Sequence, residues 1–467
     1  MLFNSLLFFV FFVLVYSGYL FLNHKWQNRW LLAASCIFYG AWDWRFLALL
    51  FVSTSLDYIF ALRVDELKDP RKRKAFVVFS VVVNLVILGF FKYFNFFITS
   101  LTNFFSHFGI NLPLPALNII LPIGISFYTF QSMSYVIDVY RQEIKPTRRW
   151  ADYALFVSFF PHLVAGPIMR AKQLLVQVIE PRIVTLSKFY EGCFLIFWGL
   201  FEKIFVADNL AKIVNPIFAG GPTYNGVEVL VALYAFAFQI FCDFDGYSNM
   251  ARGLGKCLGF EIMINFHLPY FATNPREFWQ RWHISLSTWL KDYLYVPLGG
   301  NRGSTLLTFR NLSVTMLLGG LWHGASWTFV LWGAYHGLLL IGHRLISSLR
   351  APSNFAWPKI IKVVFFFHLV ILGWLLFRAQ SLSQVEQMMH ALMFNFYINK
   401  ESGFLFWKFL AIISFLLAVQ IGQYKTNDLM FLYRRHWVTK TIAYAVMMYL
   451  IIGWGAMKAE EFIYFQF

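Results

Sequence analysis

Runs of apolar residues long enough to cross a bilayer limit what this chain can fold into. The stretch "AFVVFSVVVNLVILGF" at 75–90 carries no charge, and about 20 such residues span a hydrocarbon core. It belongs to a run over 75–100, and comparable runs recur near 2–22, 46–62, 118–140, 190–214, 227–250, 306–321, 324–345, 363–380, 405–422 and 441–458. A shorter run at 31–41 predicts a tilted or broken helix. Of 467 residues, 59% are hydrophobic and 13% charged, whereas a soluble domain is roughly half apolar and a quarter charged. The pattern predicts an all-α polytopic integral membrane protein of about 11–12 spanning helices. We read residues 1–467 as one membrane domain: N-terminal helices over 1–150, a core over 151–345, and C-terminal helices with an aromatic tail over 346–467.

The formal charge of +16 comes from 39 basic and 23 acidic side chains. Its clusters, such as "RVDELKDPRKRK" (63–74) and "RQEIKPTRR" (141–149), fall between apolar runs. Cytoplasmic loops collect Lys and Arg in this way and meet anionic lipid, so the charge reports topology and membrane contact rather than nucleic acid. Placing both clusters inside puts the N-terminus outside. The loop 101–117, without Lys or Arg, then lies outside, 344–362 and 425–440 lie inside, and the C-terminus is outside. The first 22 residues lack a basic flank and a small-residue cleavage site, and read as a retained spanning helix. Cys36, Cys193, Cys242 and Cys257 are widely spaced without a CxxC, which suggests apolar packing and neither a disulfide framework nor a metal site.

Two regions resist simple spanning. Residues 151–187 include "FFPHLVAGPIMR", and 251–304 include "NPREFWQRWHISLSTWLKDYLYVPLGGNRG". Irregular backbone at membrane depth needs protein or a wet cavity to satisfy its polar groups. Both regions therefore predict re-entrant or interfacial helices around a central tunnel.

Ionisable groups in such surroundings are functional candidates. His323, in "GGLWHGASW" (319–327), is flanked by glycines that loosen the helix, so a helix break beside it is expected. A neutral imidazole can take a hydroxyl proton; a hydrogen-bonded core histidine is the plainer alternative. His283, in "QRWHISLSTW", reads as part of an amphipathic helix with Trp279, Trp282 and Trp289, either orienting His323 or sitting at headgroup level. Asp243 and Asp245, two apart in "FCDFDGYSNMARG" (241–253), point to different sides of a helix. One is expected to pair with Arg252 or Arg281 while the other caps backbone. Glu202, Lys203 and Asp208 read as structural charge balance. We find no G-x-S-x-G elbow, phosphate loop, dinucleotide fingerprint or metal-ligand spacing. The last residues, "FIYFQF" (462–467), are either an interfacial aromatic anchor or a tail that folds back and presents the Tyr464 hydroxyl.

The ordered block from "FQIFCDFDGYSNMARG" through "NPREFWQRWHISLSTWLKDYLYVPLGGNR" to "LLGGLWHGASWTFVLWGAYHG" resembles the membrane-bound O-acyltransferases, and among them the bacterial branch of alginate O-acetyltransferase membrane subunits. The resemblance implies many helices around a tunnel, a signature histidine at His323, and a second polar position at His283. It implies transfer of an acetyl group from a cytoplasmic thioester, acetyl-CoA, for O-acetylation of a polysaccharide, with no bound cofactor and no metal. A periplasmic or membrane-anchored acetyltransferase is the implied partner, and the bacterial inner membrane the implied location. Phe462, Tyr464 and Phe467 match a tail pattern whose tyrosine is proposed to carry the acyl group. Beside this resemblance, Trp322, Trp282, Arg281 and Asp245 are our candidates for substrate contact, and basic residues over 251–302 for attracting CoA phosphates. D-alanyl transfer to teichoic acid, peptidoglycan O-acetylation and a transporter or channel are the alternatives. The absence of internal repeats counts against the last of these.

Overall fold

The computed structural model describes residues 1, 3–112, 114–164, 166–221, 223–349, 358–456 and 462–463. Among these residues the chain is helical, with no strand. It forms two compact units, one of residues 1–193 with 250–263 and one of residues 194–249 with 264–467.

The first unit opens with α1 (Leu6–Leu20), α2 (His24–Asp43), α3 (Arg45–Glu66), α4 (Pro70–Leu88) and, after a π-helical turn, α5 (Phe94–Ser106). Their starts follow from capping chemistry. The Asn23 side chain accepts from Trp26 N at 3.2 Å, and Asp69 accepts from Arg71 N at 2.8 Å with Pro70 at the first helical position. The run at 31–41 is the middle of an unbroken 20-residue α2, not a broken helix. Its amphipathic start, from His24 to Asn28, hid its length. By contrast α1 has 15 residues, about 22 Å of rise, short of a full hydrocarbon crossing.

The expected span over 118–140 also contracts. Its helix, α6 (Ile125–Tyr140), begins only after Gly124 takes a left-handed conformation at φ 76°. Then come α7 (Trp150–Ser158), α8 (Phe160–Leu163) and α9 (Ala171–Ile179), each too short to cross; α7 and α8 are largely buried, while α9 buries one face. Polar contacts pin these elements. On α3, Asp57 accepts from the Ser80 hydroxyl at 2.7 Å and from Asn84 at 2.9 Å. Asn28 donates to Asp152 at 3.1 Å and to Val178 O at 2.8 Å. Such bonds matter in an apolar setting because an unmade one costs roughly 1–3 kcal/mol.

The chain enters the second unit along α10 (Leu186–Leu200), a π-helical stretch over Phe201–Ala207, and α11 (Asp208–Phe218). It leaves that unit along α12 (Gly226–Cys257), 32 residues long, and returns at Ile264. The segment expected to be irregular folds as α13 (Pro275–Arg281) and α14 (Ile284–Leu290). The rest is α15 (Thr305–His323), α16 (Trp327–Leu349), α17 (Lys359–Arg378), α18 (Leu382–Phe394), α19 (Lys400–Thr426) and α20 (Trp437–Trp454).

Seven helical stretches among the described residues are long and apolar enough to cross a membrane: α3, the α4–α5 stretch, α12, α16, α17, α19 and α20. That is fewer than the 11–12 expected from apolar runs. The shortfall lies in helices that are short, such as α1 and α6, or that carry polar residues, such as α2 and α15. The polytopic all-α architecture stands.

Candidate active site

The site lies within the second unit and is built on two chain reversals. In the first, residues 265–267 run beside 281–284, with His267 N donating to Arg281 O at 2.9 Å and Ile284 N to Asn265 O at 2.8 Å. The Asn265 side chain also accepts from Ser285 N at 3.1 Å and from its hydroxyl at 2.9 Å. These bonds hold His283 between α13 and α14 in a left-handed conformation, φ 42° and ψ 54°, which costs a non-glycine residue roughly 1–2 kcal/mol. His283 is therefore not on one amphipathic helix at headgroup level. It breaks that helix in two, and its ring is fully buried.

The second reversal joins α15 to α16. A methyl group on Gly320 would collide with the Phe329 carbonyl, and one on Gly333 with that of Met316. The missing side chains let the two helices touch along their backbones. His323 is the last residue of α15, and Gly324 continues in extended conformation, which is the break that the flanking glycines suggest.

These reversals bring together residues forty positions apart. The His283 and His323 rings lie 6.2 Å apart, centre to centre, within reach of one bridging hydroxyl. Aromatic rings enclose them. Trp322 lies 5.8 Å from His283 and 5.2 Å from His323. Phe244 stands edge-on to His283 at 4.7 Å. Trp332 and Phe377 flank His323 at 4.9 and 5.3 Å. Trp282 is buried against Phe278, Phe266 and Trp374.

The other candidates separate. Arg281 is committed elsewhere: it pairs with Glu277 at 2.9 Å and donates to His267 O at 3.0 Å. Burial pushes the Glu277 carboxyl up, but Thr273 and Arg281 outweigh it and hold the group below its ordinary value. Burial, then the Arg281 charge, lowers His267. Exposed Arg276, Lys291 and Arg302 are the basic groups of this segment that face outward. Asp245 is half-buried on α12.

Asp243 pairs with Lys203 at 2.7 Å, not with Arg252 or Arg281, and Lys203 also binds Asp208 at 2.8 Å. All three are buried, so removing one partner would cost roughly 3–5 kcal/mol. The neighbouring Glu202 accepts instead from Asn249 at 2.9 Å.

The tail returns to this place. Phe462 and Ile463 are 0% and 2% exposed, buried rather than spread at an interface. Phe462 packs 4.7 Å from Tyr247 and 5.6 Å from Phe244. Tyr464 and Phe467 lie outside the described residues.

Sequence reasoning missed His336. It is fully buried between Trp279 and Trp332, at 5.2 and 4.8 Å. Among the described residues neither of its ring nitrogens has a hydrogen-bond partner. The signal was a third histidine on the helix after His323, in "WGAYHG". No group of three metal-ligating side chains gathers among the described residues.

The arrangement is a buried imidazole pair in an aromatic enclosure, suited to moving a proton where water is scarce. The family model for membrane-bound O-acyltransferases matches residues 141–383. A probable alginate O-acetylase of Azotobacter vinelandii is 46% identical over 398 residues, 85% of this chain and 78% of that protein. A peptidoglycan O-acetyltransferase of Helicobacter pylori is 36% identical over 415 residues, 82% of this chain and 78% of its own. A teichoic acid D-alanyltransferase of Bacillus subtilis is 27% identical over 285 residues, 57% of this chain and 71% of its own. With the buried histidine pair inside the matched residues and its relatives aligned over most of its length, the chain belongs to the membrane-bound O-acyltransferase family.

Proposed function

We propose that this O-acyltransferase takes an acetyl group from acetyl-CoA on the cytoplasmic side of a bacterial inner membrane and delivers it outward for O-acetylation of a polysaccharide such as alginate. The observation that carries the reading is the His283–His323 pair, assembled across forty residues and enclosed by rings. The similarity to alginate O-acetylases supports the choice of acceptor.

His323 accepts the proton of an attacking hydroxyl. The oxygen bonds to the thioester carbonyl carbon, and the resulting oxyanion is stabilised by a donor such as His283. The C–S bond then breaks, and the proton on His323 passes to the leaving sulfur, releasing the thiol. If the hydroxyl is that of Tyr464, the product is a tyrosyl acetate. A sugar hydroxyl, or one on a periplasmic or membrane-anchored acetyltransferase, attacks that ester next. His323 again takes the proton and returns it to the phenolic oxygen. The aromatic wall excludes water that would hydrolyse either ester. Exposed Arg276, Lys291 and Arg302 supply positive charge for CoA phosphates in place of Arg281. Both termini lie outside in this reading.

The test is acetyl-CoA consumption by purified full-length protein, together with acetyl content of polysaccharide and peptidoglycan from a deletion strain. Loss of polysaccharide acetyl groups is expected. Loss confined to peptidoglycan would move the acceptor, and a protein that never consumes acetyl-CoA would sink the donor assignment. Tyr464→Phe is expected to stop transfer, and full activity there would remove the tyrosyl step.

A further inference from the structure

We infer that the buried Asp208–Lys203–Asp243 group is a latch for the C-terminal tail, with Asp243 the positioning residue that sets where the tail meets the histidine pair. The inference rests on the reading of the tail as acyl carrier and adds the device that holds it in place. Ile463 N donates to Asp243 Oδ2 at 2.6 Å, joining positions 220 residues apart in a buried setting. The other carboxylate oxygen, Oδ1, binds Lys203 at 2.7 Å, and Lys203 binds Asp208 at 2.8 Å. One ammonium is thus shared by two carboxylates. Asp243 keeps acceptor capacity that a buried site must fill, and a main-chain N–H is a donor that any tail residue except proline carries. A bond from an amide to a carboxylate is charge-assisted and roughly twice as strong as a neutral one.

The local fold serves this contact. Lys203 lies in the π-helical stretch Phe201–Ala207, a form found often at functional sites. One stretch of α12 meets residues 462–463: Asp243 holds the amide, while Phe244 and Tyr247 pack on the Phe462 ring at 5.6 and 4.7 Å. Phe244 is also the ring edge-on to His283 at 4.7 Å. One helix face therefore reads both the tail and the catalytic ring.

Consecutive Cα atoms are ~3.8 Å apart, so an anchor at Ile463 limits how far the neighbouring hydroxyl can stray. Holding a reacting hydroxyl near its target is worth far more than its presence in solution. The latch supplies that proximity without touching substrate.

The test uses the full-length protein in lipid nanodiscs and reads hydrogen exchange at the Ile463 amide and acetyl-CoA-dependent transfer. Ile463→Pro deletes the donor while keeping apolar bulk and leaving the buried ion group intact. It is expected to lower kcat about tenfold or more with the donor KM little changed. Ile463→Val keeps the N–H and is expected to stay within about twofold. Asp243→Ala is expected to speed exchange at Ile463 about tenfold, and Asp243→Asn, which retains an acceptor oxygen, to restore part of both protection and kcat. Wild-type turnover by Ile463→Pro, or an Ile463 amide that exchanges as fast in the native protein as in Asp243→Ala, overturns the latch. A Tyr464→Phe protein that stays fully active while its Ile463 amide remains protected would instead defeat the carrier reading and leave the latch standing.

Discussion

Of the buried histidines, His162 and His283 both interrupt apolar segments, and the two rings are held differently. His162, on the short α8 of the first unit, lies with Nε2 3.2 Å from the Phe156 carbonyl and 3.5 Å from Gln131, whose amide donates to the same carbonyl at 2.8 Å. Its ring is tied to main chain. His283, in the second unit, faces a second imidazole at 6.2 Å and the ring of Phe244, which also packs the tail. Both are almost wholly buried, and both sit in Pro-interrupted, aromatic sequence. Burial and sequence context therefore do not separate a ring tied to main chain from one set among other rings; the partner of the ring does.

Paired substitutions put that contrast under strain, and His323→Ala carries the largest effect. Removing a general base typically costs about 10²–10⁴ in rate. We expect that loss of transfer with normal membrane insertion and a melting temperature lowered no further than in the other buried His→Ala variants. His323→Ala that still consumes acetyl-CoA at the native rate would eliminate the base assignment.

His283→Ala comes next. A group that orients a base or meets an oxyanion is worth about 10–10³ in kcat. His283→Asn, which can still donate a hydrogen bond, should recover part of it. Equal loss in both variants would point to collapse of the left-handed turn rather than to a lost donor. Circular dichroism on the same samples would separate these outcomes.

The residues behind these two predictions differ in how readable they were. The glycines around His323 signalled both the helix break and the close approach of α15 to α16, because a missing Cβ acts locally. His283 was legible as a candidate but not as a turn. Its conformation is imposed by Asn265, eighteen positions earlier, and no periodicity in "QRWHISLSTW" reports that. The cation that Asp243 binds was not legible for the same reason. Lys203 lies forty positions earlier in the π-helical stretch, and nothing local to 241–253 reports it. Fewer helices among the described residues are long and apolar enough to cross than the apolar runs number, because runs at 2–22 and 118–140 do not announce where a capping Ser5 or a left-handed Gly124 shortens the helix. His336 was missed because a histidine among tryptophans on an ordinary helical repeat looks like packing.

His162→Ala is the complementary variant. It should cost about 1–3 kcal/mol of stability from a lost buried bond and a small cavity, seen as a lowered melting temperature in detergent, while kcat at permissive temperature changes less than about threefold. A drop in kcat as large as that of His283→Ala, with no change in melting, would erase the distinction between the two histidines.

The smallest expected effect lies beside the active site rather than in it. Burial and then the Arg281 charge hold His267 below its ordinary value, so the unfolded chain takes up this proton first as pH falls. The neutral ring therefore contributes stability that is fully present above about pH 6.5 and declines below it. Glu277 behaves similarly in a lower window. Burial raises it, yet Thr273 and Arg281 leave it depressed, so its contribution holds above the ordinary carboxylate range of about 4.3 and fades only below that. Melting of the native protein between pH 7.5 and 5.5 should thus decline by about 1 °C more than that of His267→Gln, a modest figure because the pair is partly open to solvent. Glu277→Gln should leave that slope in place and alter only the more acidic part of the curve. Parallel curves for the native protein and His267→Gln across pH 7.5–5.5 would mean that the 265–267 and 281–284 segments are held by their main-chain bonds alone, and that the turn presenting His283 is insensitive to the charges around it.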